Sequence, residues 1–188
     1  MTGDAISLIS KRQLEFLAFR KALTEESDRG CALFAAAFLD KTLSDILRLS
    51  LVEDTKIEKE LFEGTTPLSS FSSRIKMTYF LGIISTAARI DLDVIRKIRN
   101  AFAHKADSIA FDTQSVADLC RNLAFSYHGQ QAKPRAHFTG AASGLLAMLH
   151  VTEIESVRPK IKADDAPTEA EKRAVRVVFL RTQLGTVS

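Results

Sequence analysis

Segment after segment of this sequence repeats its apolar residues at intervals of three or four, and almost none alternates, so the chain is committed to helices that bury stripes against one another. Residues 6–22 set Leu8, Leu14, Leu17 and Ala18 at helical spacing. Thr24 reads as the N-cap of the next helix, with Glu25, Glu26 and Asp28 where a helix N-terminus favours negative charge. That helix is expected to run through Leu51, burying Cys31, Phe34, Ala35, Phe38, Leu39, Ile46 and Leu49 on one broad stripe. Its "AAA" at 35–37 permits close approach of another helix. The stretch "EGTTP" (63–67) is a loop, and the serines of "PLSSFSS" offer N-caps for a helix over 70–83. Ser85 or Thr86 starts the next, and Asp112 is expected to cap another over 113–126.

"HGQQAKPR" (128–135) then breaks the pattern with Gly and Pro, and marks the end of a core spanning 1–130. Residues 131–188 are expected to form a C-terminal extension packed on or beside that core. Within it, 139–154 reads as a helix, "RPKIKADDAP" as a charged linker, and Thr168 with Glu171 as a capping box before a final helix. "AVRVVFL" is β-branched enough to read as a strand instead. The fold class expected is all-α, an antiparallel helical bundle with a C-terminal helical extension.

Composition narrows the function. At 188 residues the chain suits one well-buried domain, and 46% hydrophobic with 26% charged residues is ordinary globular usage. A formal charge of +3 is a weak basic excess for a dedicated nucleic-acid binder. Cys31 and Cys120 lie singly in apolar stretches, as buried thiols of a reducing compartment do. The longest apolar run, "AASGLLAMLHV" from Ala141, has about half the roughly 20 residues needed to span a bilayer. The first residues, "MTGDAISLISKRQLEF", lack the apolar core of a signal peptide, so the expected location is cytoplasmic. Gly140 and Gly144 form a GxxxG, which outside a membrane reads as a loop residue plus a close helix contact.

The chemistry-bearing candidates are few. In "IRKIRNAFAH" (95–104), helical spacing gathers Ile95, Ile98 and Phe102 on one side and Arg96, Asn100 and His104 on the other, with Arg99 at the border. An imidazole can move a proton, a guanidinium can hold a phosphate, and an amide can orient either. Cleavage of RNA by its own 2′-hydroxyl needs no metal and little more. The plainer reading is favoured: a histidine capping carbonyls near a helix C-terminus, beside structural hydrogen bonds. In "ESDRGCAL" (26–33), Asp28 and Arg29 open a helix, Glu26 and Arg29 are spaced to pair, and Gly30 suggests close backbone contact with the 95–104 helix. The serines of 67–73, with Arg74 and Lys76, could receive an anion at a helix N-terminus. There is no phosphate-gripping glycine loop, no HExxH and no nucleophile signature. His128, His137 and His150 are scattered without ligand spacing, and neither a metal nor a cofactor is expected.

Taken in order, "ESDRGCALFAAAFLD", "LFEGTTPLSSFSSRIKMTYFLGIIS" and "IRKIRNAFAH" closely resemble the mannitol operon repressor (MtlR/MltR) family over about residues 24–125. The resemblance implies an all-helical cytoplasmic bacterial regulator of mannitol uptake and use. Members lack an obvious DNA-reading element, which implies action through a partner protein or a small effector. Inside that stretch, Arg99, Asn100 and His104 resemble the R-x4-H signature of HEPN domains, helical bundles that often dimerise, many of them metal-independent ribonucleases. Two readings follow. The first is a non-enzymatic regulator, a homo-oligomer such as a dimer, binding through Glu26, Asp28, Arg29, Arg74 and Arg96. The alternative is an RNA-cleaving enzyme with Arg99 and His104 catalytic and Asn100 supporting. Direct DNA binding ranks last, since only Arg158, Lys160, Lys162, Lys172, Arg173 and Arg176 could furnish its basic surface.

Overall fold

The computed structural model describes the backbone of residues 3–104, 109–163 and 166–184, and the side chains of these from 11 to 179. Among them are eight helices and no strand: α1 Gly3–Glu25, α2 Asp28–Leu49, α3 Thr55–Phe62, α4 Phe71–Phe80, α5 Thr86–His104, α6 Gln114–Arg121, α7 Pro134–Glu155 and α8 Glu169–Leu184. The all-α class is as expected, and "AVRVVFL" is helical within α8. No helix among the described residues is long and apolar enough to cross a membrane.

The centre of the bundle is α2, which packs against α1, α4, α5 and α7. Cys31, Ala35, Leu39 and Ile46 are buried, with Ala32 and Ala36 letting neighbouring helices approach. Phe34 and Phe38 pack on the core's margin, where Phe19 of α1 meets them at 5.7 and 4.9 Å between ring centroids. That aromatic contact sets the rotation of α1. Phe19 and Leu23 face inward, while Leu14 and Leu17, which mark its helical spacing in the sequence, are 69% and 63% exposed. Apolar residues occur all round this helix, so spacing alone does not choose its buried side. The expected Thr24 cap is also displaced. α1 continues to Glu25, Thr24 Oγ1 donates to the Arg20 carbonyl, and Ser27 accepts from Gly30 N–H at 3.1 Å to cap α2.

Asp54 caps α3, an element not foreseen, by accepting from Lys56 and Ile57 N–H, both at 3.0 Å. Phe62 from α3 joins Leu47 and Leu68 in a small second core, with the Arg48 guanidinium 4.3 Å over its ring. Ser70 caps α4 and Ser85 Oγ accepts from Ala88 N–H at the start of α5, both as expected. The chain turns between them at Gly82, whose φ of +72° favours glycine. Helix α5 buries Ala88, Asp91, Leu92, Ile95, Ile98 and Phe102 along one stripe.

The helix expected over 113–126 is shorter, and its N-cap position is Thr113 rather than Asp112. It stops at Arg121 because Asp91, buried on α5, takes the N–H groups of Ala124 at 3.1 Å and Phe125 at 2.8 Å. Those amides are thereby diverted from any further helical turn. Pro134, read in sequence as part of a break, sits in the first turn of α7, where its missing N–H costs nothing. So α7 starts five residues before the expected 139. Its Phe138, Ala141, Ala142, Leu145, Leu146 and Leu149 belong to the same buried cluster as the stripes of α2 and α5. Gly140 and Gly144 both lie within α7, so neither is a loop residue; a Cβ on Gly144 would stand 2.9 Å from the Phe125 carbonyl oxygen. The expected capping box precedes α8, with Thr168 N–H donating to Glu171 at 2.7 Å and Glu171 N–H to Thr168 Oγ1 at 3.3 Å.

Candidate functional site

The face of α5 opposite its buried stripe begins with Arg89 and Asp93, one turn apart and 3.5 Å between charged atoms. Asp93 also accepts from Arg96 Nε at 3.3 Å, so Arg96 is spent on an intrahelical pair. Beyond it Arg99 and Asn100 are half-buried and His104 is exposed at the helix end. Phe102 points the other way, against Phe111, which in turn meets Phe138. Among the described residues no side-chain hydrogen bond or ion pair engages Arg99, Asn100 or His104, so none of these residues orients the imidazole or pins the guanidinium. Among the described residues no side chain supplies the supporting contacts that hold catalytic groups in productive geometry.

The α1–α2 corner uses its charges internally. Asp28 accepts from Phe111 N–H at 3.0 Å and from Arg135 Nη1 at 2.6 Å, while Arg135 Nη2 donates to the carbonyls of Leu23 and Glu26. The corner, the segment after α5 and the first turn of α7 are thus joined by one arginine and one carboxylate. Glu26 and Arg29 lie exposed on the same turn. The close neighbour of Gly30 is the Glu26 carboxylate rather than α5. Arg74 is equally committed: its Nε donates to the Leu68 carbonyl at 2.8 Å and its Nη1 to Asp40 at 2.7 Å, clamping α4 and the preceding loop to α2. Lys76 is exposed.

Two surface features were not singled out in the sequence. At the end of α4, Phe80 is 87% exposed, and its chain neighbours Tyr79 and Leu81 are also exposed, as is Ile90 on α5. The Arg89 guanidinium lies 5.2 Å from the Tyr79 ring centroid, and Thr86 Oγ1 donates to Tyr79 Oη at 3.4 Å. Tyr79, Phe80 and Arg89, with Leu68, Lys76 and Met77, border a shallow depression of about 440 Å³. An exposed aromatic knob flanked by tyrosine and arginine has the composition of a protein-binding hot spot. Its sequence signal is "YFLG": Phe80 and Leu81 prolong the apolar run past the stripe that α4 buries through Phe71 and Ile75.

The second is a groove of about 410 Å³ between α1 and α7, walled by Phe16, Leu17, Ala147, Val151 and Ile154. Arg12, also in its lining, pairs with Glu15 and with Glu153. His150 lines the groove too, is 6% exposed, and has a buried Nε2 without a partner among the described residues. Burial first, and the Arg12 charge second, lower its pKa below the usual histidine value.

The basic residues of the last third are dispersed. Arg158 lies 3.9 Å from Glu53 and Lys172 pairs with Glu169 at 2.8 Å, while Lys160, Lys162, Arg173 and Arg176 are exposed. Cys31 and Cys120 are free and buried, and burial pushes their thiols up to about 11 and about 12.

A family model described as mannitol repressor matches residues 24–157, and so runs through α7. No curated protein matches the sequence. Among solved structures, the chain is similar to one in the X-ray structure of the MtlR-HPr complex from Escherichia coli, with a TM-score of 0.59 at 17% identity. That similarity covers 71% of this chain and 99% of the other, and at such identity it speaks to the fold. Nearly all of α1 and the whole of α8 lie outside the family match.

Proposed function

The chain belongs to the mannitol repressor family, and on that premise we propose a non-enzymatic regulator that works by docking a protein partner on the aromatic end of α4. The single observation carrying this reading is Phe80, 87% exposed within the family-matched residues and flanked by Tyr79, Leu81 and Arg89. Leaving such a ring in water forgoes roughly 1.5–3 kcal/mol of burial, which a partner's pocket would recover. The similar Escherichia coli protein is named in a complex with HPr, and HPr of this chain's own cell is the partner to test first. Cytoplasmic location and self-association belong to the same reading, the latter checked by light scattering on the purified chain. A small effector remains part of it as a second input.

The test is calorimetric titration of the chain with HPr. Phe80→Ala is expected to weaken binding by about 30-fold or more, as loss of an anchor costs ~2–4 kcal/mol, with the melting temperature unchanged. Equal affinity for wild type and variant would move the docking site elsewhere. No binding at all would remove HPr as the partner. RNA incubated with the chain and EDTA is expected to stay intact. Cleavage lost in folded Arg99→Ala and His104→Ala would replace this reading with the endoribonuclease one.

A further inference from the structure

We infer that α8 is the occupant of the α1/α7 groove, folding back within the same chain to cover it. Each half is incomplete alone. The groove presents Phe16 and Leu17 from α1 and Ala147, Val151 and Ile154 from α7, an i, i+4, i+7 ridge. Every described residue of α8 is exposed, including Val175, Val178 and Phe179, which share one helical face at i, i+3, i+4 spacing. An isolated helix of this length is marginal in water, so α8 needs an apolar surface to lie on. Both α8 and the α1 wall stand outside the family-matched residues, so this chain carries the groove and the helix that fits it as a pair.

Arg12, in the groove's lining, is paired with Glu15 and Glu153, and Glu155 follows one residue beyond Ile154. By sequence α8 sets Lys172, Arg173, Arg176 and Arg181 against Glu169 and Glu171, a net charge of +2, with Glu169 paired to Lys172. Chain length decides between this chain and a second copy. The linker 156–168 has a root-mean-square span of about 20 Å, and about 43 Å fully extended. The groove's α7 wall lies only about 12 Å or less back from Glu155 along the helix. Such a tether gives α8 an effective concentration in the millimolar range, about a thousandfold above a second copy at micromolar protein. The inference does not rest on the docking role assigned to Phe80.

The test uses the full chain with Gln13→Cys and Lys172→Cys, at the groove rim and on the flank of α8, which keeps every apolar contact intact. Cys31 and Cys120 are buried with thiols raised to about 11 and about 12, so near neutral pH a short bismaleimide reacts at the two introduced sites. The expected product is one chain bridged internally, in a yield independent of protein concentration and reduced at least tenfold by adding Phe179→Glu. Covalent dimers would overturn the inference in favour of a second copy. Two separate single additions, with no bridge, would overturn it outright. Bridging unaffected by Phe179→Glu would do so too, since chance encounter would then explain the yield.

Discussion

A glycine in a helix costs about 1 kcal/mol relative to alanine unless something needs the missing Cβ. Gly30 and Gly144 divide on that point. At Gly30 the obstacles to an added Cβ are the end of the exposed Glu26 side chain, which can swing into water, and the Ser27 hydroxyl at 3.2 Å. Gly30→Ala is therefore expected to raise stability by up to about 1 kcal/mol. At Gly144 the obstacle is the Phe125 carbonyl oxygen, fixed in the backbone at 2.9 Å. Gly144→Ala is expected to lose about 1–3 kcal/mol as α7 and the 124–126 turn are forced apart. Urea unfolding of both variants reads the opposite signs; a stabilised Gly144→Ala would refute the packing described. Asp91 is the other residue whose role is purely positional. Burial raises its pKa while the two backbone bonds oppose that. Asp91→Ala leaves two N–H groups without their acceptor and is expected to cost about 2–4 kcal/mol, read in the same experiment. None of this is visible in sequence, because Asp91 meets its partners 33 and 34 residues away.

At the scale of elements, what was legible is what local chemistry decides. Ser70 and Ser85 as caps, the stripe of α5 and the Thr168–Glu171 box all depend on neighbours within one turn. The failures have tertiary causes: Phe19 sets the roll of α1, and Asp91 ends α6. Pro134 was misread because proline both breaks helices and starts them. Helix α7 also contributes to the pH dependence of the fold. His137 and His150 are buried on it, and burial foremost lowers both their pKa values below 6.5. A histidine depressed in the folded state contributes stability above its unfolded pKa and loses it as pH falls through the folded one. The melting temperature is therefore expected to fall as pH drops from about 7 to about 5. His150→Gln should flatten that fall; an unchanged slope would place the protons elsewhere.

For the whole molecule, the helical class and the family were readable because both are written in long local patterns. The candidate docking surface was not, since a knob such as Phe80 is defined by what fails to cover it, which only the assembled bundle settles. The charged candidates went the other way: Asp28 and Arg74 proved to be internal ties, and Arg96 an intrahelical one. The tie between Asp28 and Arg135 spans 107 residues, and that from Asp28 to Phe111 spans 83. Closing loops of that length is slow relative to forming a hairpin of adjacent helices, so this corner, like the Arg12–Glu153 tie across 141 residues, should assemble late and open early. Arg135→Ala would then act almost wholly on the unfolding rate, raising it by the full loss of stability while the folding rate stays constant. In stopped-flow kinetics only the unfolding arm should shift. The bond that holds α1, α2 and α7 at one corner is, in time, a latch that closes once the hairpins of neighbouring helices are in place.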